Sequence, residues 1–162
     1  MSYDQIAARL RCPRCGLETR DEWAVFQMRW SFPAECTTYR PGDRVHIKHP
    51  KYWSYHNMRG EIDFDAIDRL RILDTWDCDG CGPWNLAMTT LIIEDDCERI
   101  ASVEAVPLSA ETLRAADCVT DQIMYIYREV TDTRMLDDEG NSIEGWFESL
   151  IQALAARDPA TG

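Results

Sequence analysis

Two five-residue stretches decide how this chain folds: Cys12-Pro-Arg-Cys-Gly16 and Cys78-Asp-Gly-Cys-Gly82. Each stretch places two cysteines three positions apart and a glycine directly after the second, and 62 residues separate Cys15 from Cys78. A Cys-x-x-Cys turn can present two sulfur atoms to one ion, and the glycine lets the backbone turn where a Cβ atom would crowd it. We therefore expect the two turns to meet and to join strands that are distant in the sequence.

The four cysteines of these turns predict a site for one Zn²⁺ ion, held by Cys12, Cys15, Cys78 and Cys81. Thiolates are soft ligands that suit zinc in tetrahedral geometry, and four of them leave no open position for water. We therefore expect a structural site and not a catalytic one. The alternative is a redox dithiol at the second turn, but the sequence lacks the βαβ pattern that accompanies such a motif.

Both turns resemble the knuckles of zinc-ribbon proteins, which read Cys-Pro-x-Cys-Gly and Cys-x-x-Cys-Gly. Seven residues match this pattern position for position: Cys12, Pro13, Cys15, Gly16, Cys78, Cys81 and Gly82. The resemblance implies that the four cysteines form a structural metal site. The insert between the knuckles is longer than in many zinc ribbons, and we expect it to form additional sheet.

A second resemblance covers the segment that runs from Phe26 through Tyr39, Gly42 and Asp43 to the second knuckle. This segment is similar to small uncharacterised bacterial zinc-ribbon proteins, some of which are of accessory, immunity or phage type. On its own this resemblance implies no particular role.

The chain before Pro107 has the pattern of an antiparallel sheet. Short segments rich in β-branched and aromatic residues, several of them alternating polar and apolar, are bounded by turn residues. We expect a meander of strands within residues 23–28, 44–48, 61–65, 69–73, 85–93 and 100–106.

The apolar period changes after Pro107 and indicates two helices. Ser109 is a suitable N-cap, and apolar residues then recur at three- and four-residue steps, which predicts one amphipathic helix through Leu113, Ala116, Val119, Ile123, Ile126 and Val130. Residues 137–141 interrupt the pattern, and Ser142 is expected to cap a second helix with Trp146, Phe147, Leu150, Ile151 and Leu154 on one face. Strands followed by helices predict an α+β fold, an antiparallel sheet with a zinc ribbon and two C-terminal helices.

Length and composition fit one domain. The chain has 162 residues, 45% of them hydrophobic, with six tryptophans, so global disorder is excluded. We expect a single zinc-ribbon-containing domain over residues 1–157 and a frayed tail over 158–162. The sequence shows neither a secretory signal nor a membrane-spanning apolar run, so the expected compartment is the cytoplasm, where paired cysteines more often hold metal than form disulfides.

The net charge of −12 is unevenly distributed along the chain. Residues 1–59 carry ten Lys/Arg and six Asp/Glu, whereas residues 60–162 carry seven Lys/Arg and 23 Asp/Glu. The acidic part would repel a nucleic-acid backbone and attract a basic protein, with its densest clusters at 94–98, including Asp95 and Asp96, and at 137–139. The competing interpretation is that the acidic surface only keeps the protein soluble.

The stretch from His46 to His56 contains all three histidines, His46, His49 and His56, together with Lys48, Lys51, Tyr52, Trp53 and Tyr55. Four interpretations stay open: a loop packed on its own domain, a protein-binding loop with aromatic anchors, a nucleic-acid contact that stacks bases on the rings, and a second metal site. No His-Glu-x-x-His pattern supports the last of these.

The remaining cysteines and carboxylates give no sign of catalysis. Cys36, Cys97 and Cys118 are expected to be small buried residues, with Cys97 exposed as the alternative because it lies in an acidic turn. The chain has no Gly-rich phosphate loop and no Gly-x-Ser-x-Gly elbow. Six aspartates are too many to single out a catalytic pair, and we expect them to lie on a solvated face: Asp63, Asp65, Asp68, Asp74, Asp77 and Asp79.

The sequence therefore predicts a non-catalytic zinc-binding protein that binds a basic protein partner, in the manner of an immunity or inhibitory accessory protein. The partner-binding residues would be Lys48, Lys51, Tyr52, Trp53, Tyr55, Asp95 and Asp96. One alternative is a nucleic-acid-associated or transcription-related zinc ribbon that works through the basic first third. A weaker alternative is a metallohydrolase at His46, His49 and His56.

Overall fold

The computed structural model of this chain describes residues 3–28, 30–31, 35–47, 62–95, 97–132, 139 and 145–157. Within these ranges it is an α+β fold with two sheets and three α-helices. None of the described helices combines the length and the apolar character needed to cross a membrane. The expected frayed tail at 158–162 and the expected cap at Ser142 lie outside the described residues.

The larger sheet has five strands in the order β4-β7-β6-β5-β8. Its centre is the predicted antiparallel meander of β5 (Arg69–Cys78), β6 (Gly82–Ile93) and β7 (Glu98–Val106). The edges are two-residue strands, β4 (Arg44–Val45) beside β7 and β8 (Cys118–Val119) beside β5. The β8 pairing is parallel, so the sheet is mixed and not purely antiparallel as expected.

The smaller sheet is formed by the N-terminal part of the chain, where the sequence predicted one continuous sheet with the rest. It has the order β2-β1-β3, with β1 at Asp4–Ala7, β2 at Ala24–Met28 and β3 at Thr38–Tyr39. The first pair is antiparallel and the second is parallel. The first knuckle lies in the connection between β1 and β2, so this sheet carries the first half of the cysteine cluster.

The helices pack on the other side of the larger sheet. They are α1 (Ala110–Ala115), α2 (Ile123–Thr131) and α3 (Trp146–Arg157), and α1 begins at the predicted N-cap, where Ser109 accepts a hydrogen bond from the N–H of Thr112. The single helix predicted after Ser109 is therefore wrong, because β8 divides it. Five of its six apolar positions are nevertheless buried, and Val130 is partly buried.

Two hydrophobic cores follow from this three-layer arrangement. One core joins the two sheets through residues such as Ile6, Leu10 and Met28 of the smaller sheet region and Ile72 and Trp76 of the larger. The other joins the larger sheet to the helices and includes Leu73, Leu86, Met88, Leu113, Ile126, Trp146 and Leu150. The central sheet thus buries both faces, which explains the dense apolar runs of β5 and β6.

Two other sequence expectations need correction. The alternation in 61–65 predicted a strand, but Phe64–Ala66 form a 3-10 helix, because the carboxylate of Asp63 accepts a hydrogen bond from the N–H of Asp65 and turns the backbone. Within the described part of the strand predicted at 44–48, Arg44–Val45 form a strand and Ile47 forms an isolated bridge with Ser31, while Lys48 lies outside the described residues.

Candidate metal centre

Two turns on different sheets bring the four cysteines together. The first turn follows β1, and the N–H of Gly16 donates to the carbonyl of Cys12 at 2.8 Å. The second turn connects β5, which ends at Cys78, to β6, which begins at Gly82. Each Cys-x-x-Cys segment is therefore held at the tip of a turn, as the sequence predicted.

The sulfur atoms of Cys12, Cys15, Cys78 and Cys81 all lie within 4.8 Å of one another. The Sγ atoms of Cys12 and Cys81 are 3.4 Å apart, and those of Cys15 and Cys78 are 3.5 Å apart. A tetrahedron with metal–sulfur bonds of about 2.3 Å has sulfur–sulfur edges of about 3.8 Å. The observed separations bracket this value, so the cluster has the size that one tetrahedral metal ion requires.

Both knuckle glycines have the backbone conformation that their position in the motif suggested. Gly16 has φ of +79° and Gly82 has φ of +92°, a region that side-chain-bearing residues rarely adopt. Gly80 is needed for a different reason, because a Cβ atom built on it would lie 3.0 Å from the Sγ of Cys15. A side chain at residue 80 would therefore make a tight contact with the first turn, and Cys15 would have to shift by a few tenths of an ångström.

Hydrogen bonds to sulfur support the cluster from the second turn. The N–H of Gly80 donates to the Sγ of Cys78 at 3.4 Å. Asn85 lies four residues after Cys81, and its Nδ2 donates to the carbonyl of Gly82 at 2.8 Å. Its Oδ1 is 3.6 Å from the Sγ of Cys12, so this buried amide contacts both knuckles.

The thiols differ in their tendency to ionise. Burial opposes ionisation of Cys12, but hydrogen bonds from the backbone of Cys15 and Arg14 and from the neighbouring thiols outweigh it and lower its pKa to about 6. Burial and the thiol of Cys12 raise the pKa of Cys81 to about 12. Such opposite pKa shifts are expected for thiols that lie close together, because ionisation of one thiol disfavours ionisation of the next. A bound cation would lower the pKa of all of them.

The donor set fits a closed metal site. Structural zinc sites, and sites for related soft metals, have four sulfur ligands and leave no position for water. Cys12 and Cys78 are buried, whereas Cys15 is exposed, so one side of the cluster is open to metal entry. Within the described part of the chain, this is the one group of three or more potential ligands that lies close enough to hold an ion.

Most of the predicted partner-binding residues cannot be placed. Lys48, Lys51, Tyr52, Trp53, Tyr55 and Asp96 lie outside the described residues, as do His49 and His56. Asp95 is exposed at the tip between β6 and β7, and His46 is exposed beside β4.

The three lone cysteines divide between core and surface. Cys97 and Cys118 are buried, as predicted, and burial raises the pKa of Cys118. Cys36 is exposed and has a φ of 56°, so the expectation that it is buried was wrong. Asp74 is also buried, against the expected solvated face, and its Oδ1 accepts hydrogen bonds from Thr120 Oγ1 at 3.0 Å and from the N–H of Thr75 at 2.8 Å.

Gly80 and Asn85 are the site residues that the sequence analysis missed. Gly80 lies between the two cysteines of the second knuckle, where many residue types are compatible with the motif. Asn85 has a weak signal, a polar residue within an apolar strand close to the motif. Only the contact between the two turns shows why each is there.

Comparison of the chain with family models, curated proteins and solved structures gives no match in any of the three. The resemblance to zinc ribbons therefore rests on the knuckles and their geometry.

Proposed function

We propose that Cys12, Cys15, Cys78 and Cys81 bind one zinc ion with a structural role. The observation that carries this proposal is the convergence of four sulfurs within 4.8 Å from two turns that are far apart in the sequence. With its four positions filled by protein, the ion has no site for a substrate or an activated water molecule, so its contribution is to folding.

The ion would join the two sheets. The first knuckle belongs to the connection between β1 and β2 of the smaller sheet, and the second is the β5–β6 turn of the larger sheet. Closing the long loop between residues 15 and 78 costs entropy. The free energy of zinc binding offsets that cost, because the four sulfurs meet only in the folded chain. Loss of zinc should therefore loosen the smaller sheet in particular.

Substitution of a buried ligand tests this proposal. Purified protein is expected to contain about one zinc per chain. Cys78→Ser should lower the zinc content and the melting temperature together, because metal affinity contributes directly to folding free energy. The measurements are elemental analysis and calorimetry, with Cys36→Ser as the matched control, since Cys36 is exposed and outside the cluster. Metal-free protein of unchanged stability would refute the site.

We further propose that the protein acts by binding a basic protein partner and has no catalytic activity of its own. The support is the acidic character of residues 60–162, where Asp63, Asp65, Asp68, Asp77 and Asp79 are exposed. Such a surface attracts a positively charged partner and speeds its association. The resemblance to immunity-type and accessory zinc-ribbon proteins makes an inhibitor of that partner the role to test first.

Affinity purification from the native host tests the partner. The expected result is a basic protein retained by the native chain and lost when exposed aspartates are changed to asparagine. Recovery of a basic toxin-like protein whose activity the chain inhibits would support an immunity role. An acidic or neutral partner insensitive to these substitutions would contradict the proposal.

One observation favours nucleic acid as the second candidate ligand. The arginines around the first knuckle, Arg9, Arg11, Arg14 and Arg20, are all exposed. Exposed basic side chains are the groups that contact nucleic-acid phosphates, although Arg9 pairs with Asp21 at 3.3 Å. Salt-sensitive binding to RNA or DNA that is lost in Arg11→Gln and Arg20→Gln would favour this function over the first.

A further inference from the structure

An open cleft of about 450 Å³ borders the cysteine cluster and belongs to neither proposed function. It lies between the first knuckle, the start of β6, the end of β7 and the helices α2 and α3. Its walls are mostly apolar and include Pro83, Trp84, Val106, Leu108 and Ile126. A cleft of this volume is large enough to hold a small organic molecule.

Trp84 is held in an unusual conformation at the wall of this cleft. Its φ is 68°, a region that a bulky residue seldom adopts, and its ring stacks on Tyr125 with centroids 5.0 Å apart and planes inclined by 19°. Tyr125 and Leu108 remain 43% and 40% exposed. Backbone strain of this kind persists where the surrounding structure holds a side chain in place, and it is concentrated at ligand sites.

Two arginines supply positive charge to the apolar cleft. Arg14 comes from the first knuckle and Arg157 from the last residue of α3. The Nη2 of Arg157 donates to the carbonyl of Val130 at 2.9 Å, which fixes the guanidinium beside the cleft. A guanidinium has five N–H donors, so the remaining donors can bind a ligand. Two cationic residues lining one cleft, in a chain of net charge −12, are complementary to an anionic group.

We propose that the cleft binds a small aromatic monocarboxylic acid. The aromatic ring packs against Trp84 and the apolar walls, and the carboxylate accepts hydrogen bonds from Arg14 and Arg157, whose planar guanidinium groups match its two oxygens. Glu129 also lines the cleft and repels a second carboxylate. The site therefore selects one negative charge.

The cleft is linked to the cysteine cluster, a point that rests on the proposed zinc site. Arg14 lies between two cysteines of the first knuckle, and Asn85 both lines the cleft and contacts the Sγ of Cys12 at 3.6 Å. Metal binding fixes the turn that carries Arg14. Zinc removal should therefore weaken ligand binding even where the chain stays folded.

Isothermal titration of the full zinc-loaded chain with 2-naphthoate, and with neutral 2-naphthalenemethanol as its matched analogue, tests the proposal. Naphthoate should bind about tenfold more tightly than the alcohol, because only the carboxylate forms charge-assisted hydrogen bonds. Arg14→Gln and Arg157→Gln should each remove most of this difference and leave the affinity for the alcohol unchanged. Arg114→Gln, an exposed change on α1 outside the cleft, is the control.

A doubly charged probe tests the role of Glu129. Binding of 2,6-naphthalenedicarboxylate should be weaker than that of naphthoate, and Glu129→Gln should reduce this discrimination. Equal affinity of naphthoate and the alcohol, or equal effects of Arg14→Gln and Arg114→Gln, would overturn the cleft proposal.

The metal-free chain separates this proposal from the zinc site. Naphthoate binding that depends on Arg14 and Arg157 but is unchanged by chelation would overturn the link to the metal and support the cleft itself. A chain that contains zinc but binds no naphthoate would overturn the cleft and leave the metal site supported.

Discussion

Asp4 is a buried carboxylate whose hydrogen bonds organise the start of the fold. Its Oδ2 accepts from the hydroxyl of Ser31 at 2.6 Å, and its Oδ1 accepts from the N–H groups of Glu35 and Thr37 at 2.9 and 3.0 Å. Burial opposes ionisation, but these three hydrogen bonds together lower the pKa of Asp4 below its usual 3.8. One side chain thus fixes the segment that leads into β3 against β1.

Asp4→Asn should reduce the free energy of unfolding at pH 7 by about 1–3 kcal/mol, because an amide N–H would replace one of the buried acceptor positions. Since the folded pKa lies below the unfolded value, the carboxylate stabilises the fold above about pH 4 and loses this contribution as the pH falls through the folded pKa. The stability difference between the variant and the native chain should therefore narrow in acid.

Urea denaturation across this pH range measures the difference. Asp21→Asn is the control, since the exposed pair of Asp21 with Arg9 should contribute less than about 0.5 kcal/mol at any pH. If the difference in free energy of unfolding between Asp4→Asn and the native chain stays constant down to pH 3, the hydrogen bonds do not lower the pKa of Asp4.

Gly80 tests the close approach of the two knuckles. Gly80→Ala places a Cβ atom 3.0 Å from the Sγ of Cys15, so this sulfur must shift away from its position in the cluster. We expect zinc affinity to fall about tenfold, as it does for other substitutions next to metal ligands. Competition with a chelator measures this affinity. Asp79→Ala, at the exposed neighbouring position, should leave the affinity nearly unchanged. Equal affinities for the two variants would show that the turns are not in contact.

At the scale of elements, β8 converts one expected helix into two. Residues 118–119 pair in parallel with Ile72 and Leu73 of β5, and the N–H of Thr120 donates to the carbonyl of Leu73 at 3.1 Å. The hydroxyl of Thr120 donates to Asp74 Oδ1. Pairing at the sheet edge and a donor for a buried carboxylate therefore outweigh the local preference for helix.

Thr120→Val keeps the shape of the side chain and removes its hydroxyl. The buried carboxylate of Asp74 then loses a donor, and the free energy of unfolding should fall by about 1–3 kcal/mol. Thr90→Val on β6, where the side chain is half-buried, should change it by less than about 0.5 kcal/mol. Chemical denaturation compares the two. Equal and small effects would mean that Thr120 does not hold β8 in the sheet.

At the scale of the whole molecule, charge distribution decides how a partner would approach. The exposed Asp95 lies at the β6–β7 tip, within the acidic part of the chain. Charges at the edge of an interface act mainly on the association rate, through an attraction that salt screens. A basic partner should therefore associate faster at low ionic strength, with little change in its dissociation rate.

Changing Asp95 and Asp96 to Asn should reproduce part of this salt effect without unfolding the protein. Stopped-flow association with the identified partner, at low and physiological salt, measures it. Glu111→Gln, an exposed change on α1, is the control for a distant acidic residue. If neither salt nor the double substitution changes the association rate, the acidic surface contributes to solubility and not to partner binding.

Local sequence determined the four-cysteine cluster, the central meander and the apolar faces of the helical region. The reason is that these features depend on short spacings: three residues between cysteines, a glycine where φ must be positive, and apolar side chains at regular steps. The clustered cysteines Cys12 and Cys78 and the buried positions Leu113 and Ile126 could all be predicted in this way.

Tertiary structure alone decided the division into two sheets, the insertion of β8, the burial of Asp74 and the exposure of Cys36. An apolar residue such as Val119 fits a buried strand as well as a buried helix face, and the choice depends on which distant segment it contacts. The cleft beside the cysteine cluster also depends on contacts between segments that are distant in the sequence. Arg14, Trp84 and Arg157 are separated along the chain and come together only because the knuckles, sheet and helices pack as they do.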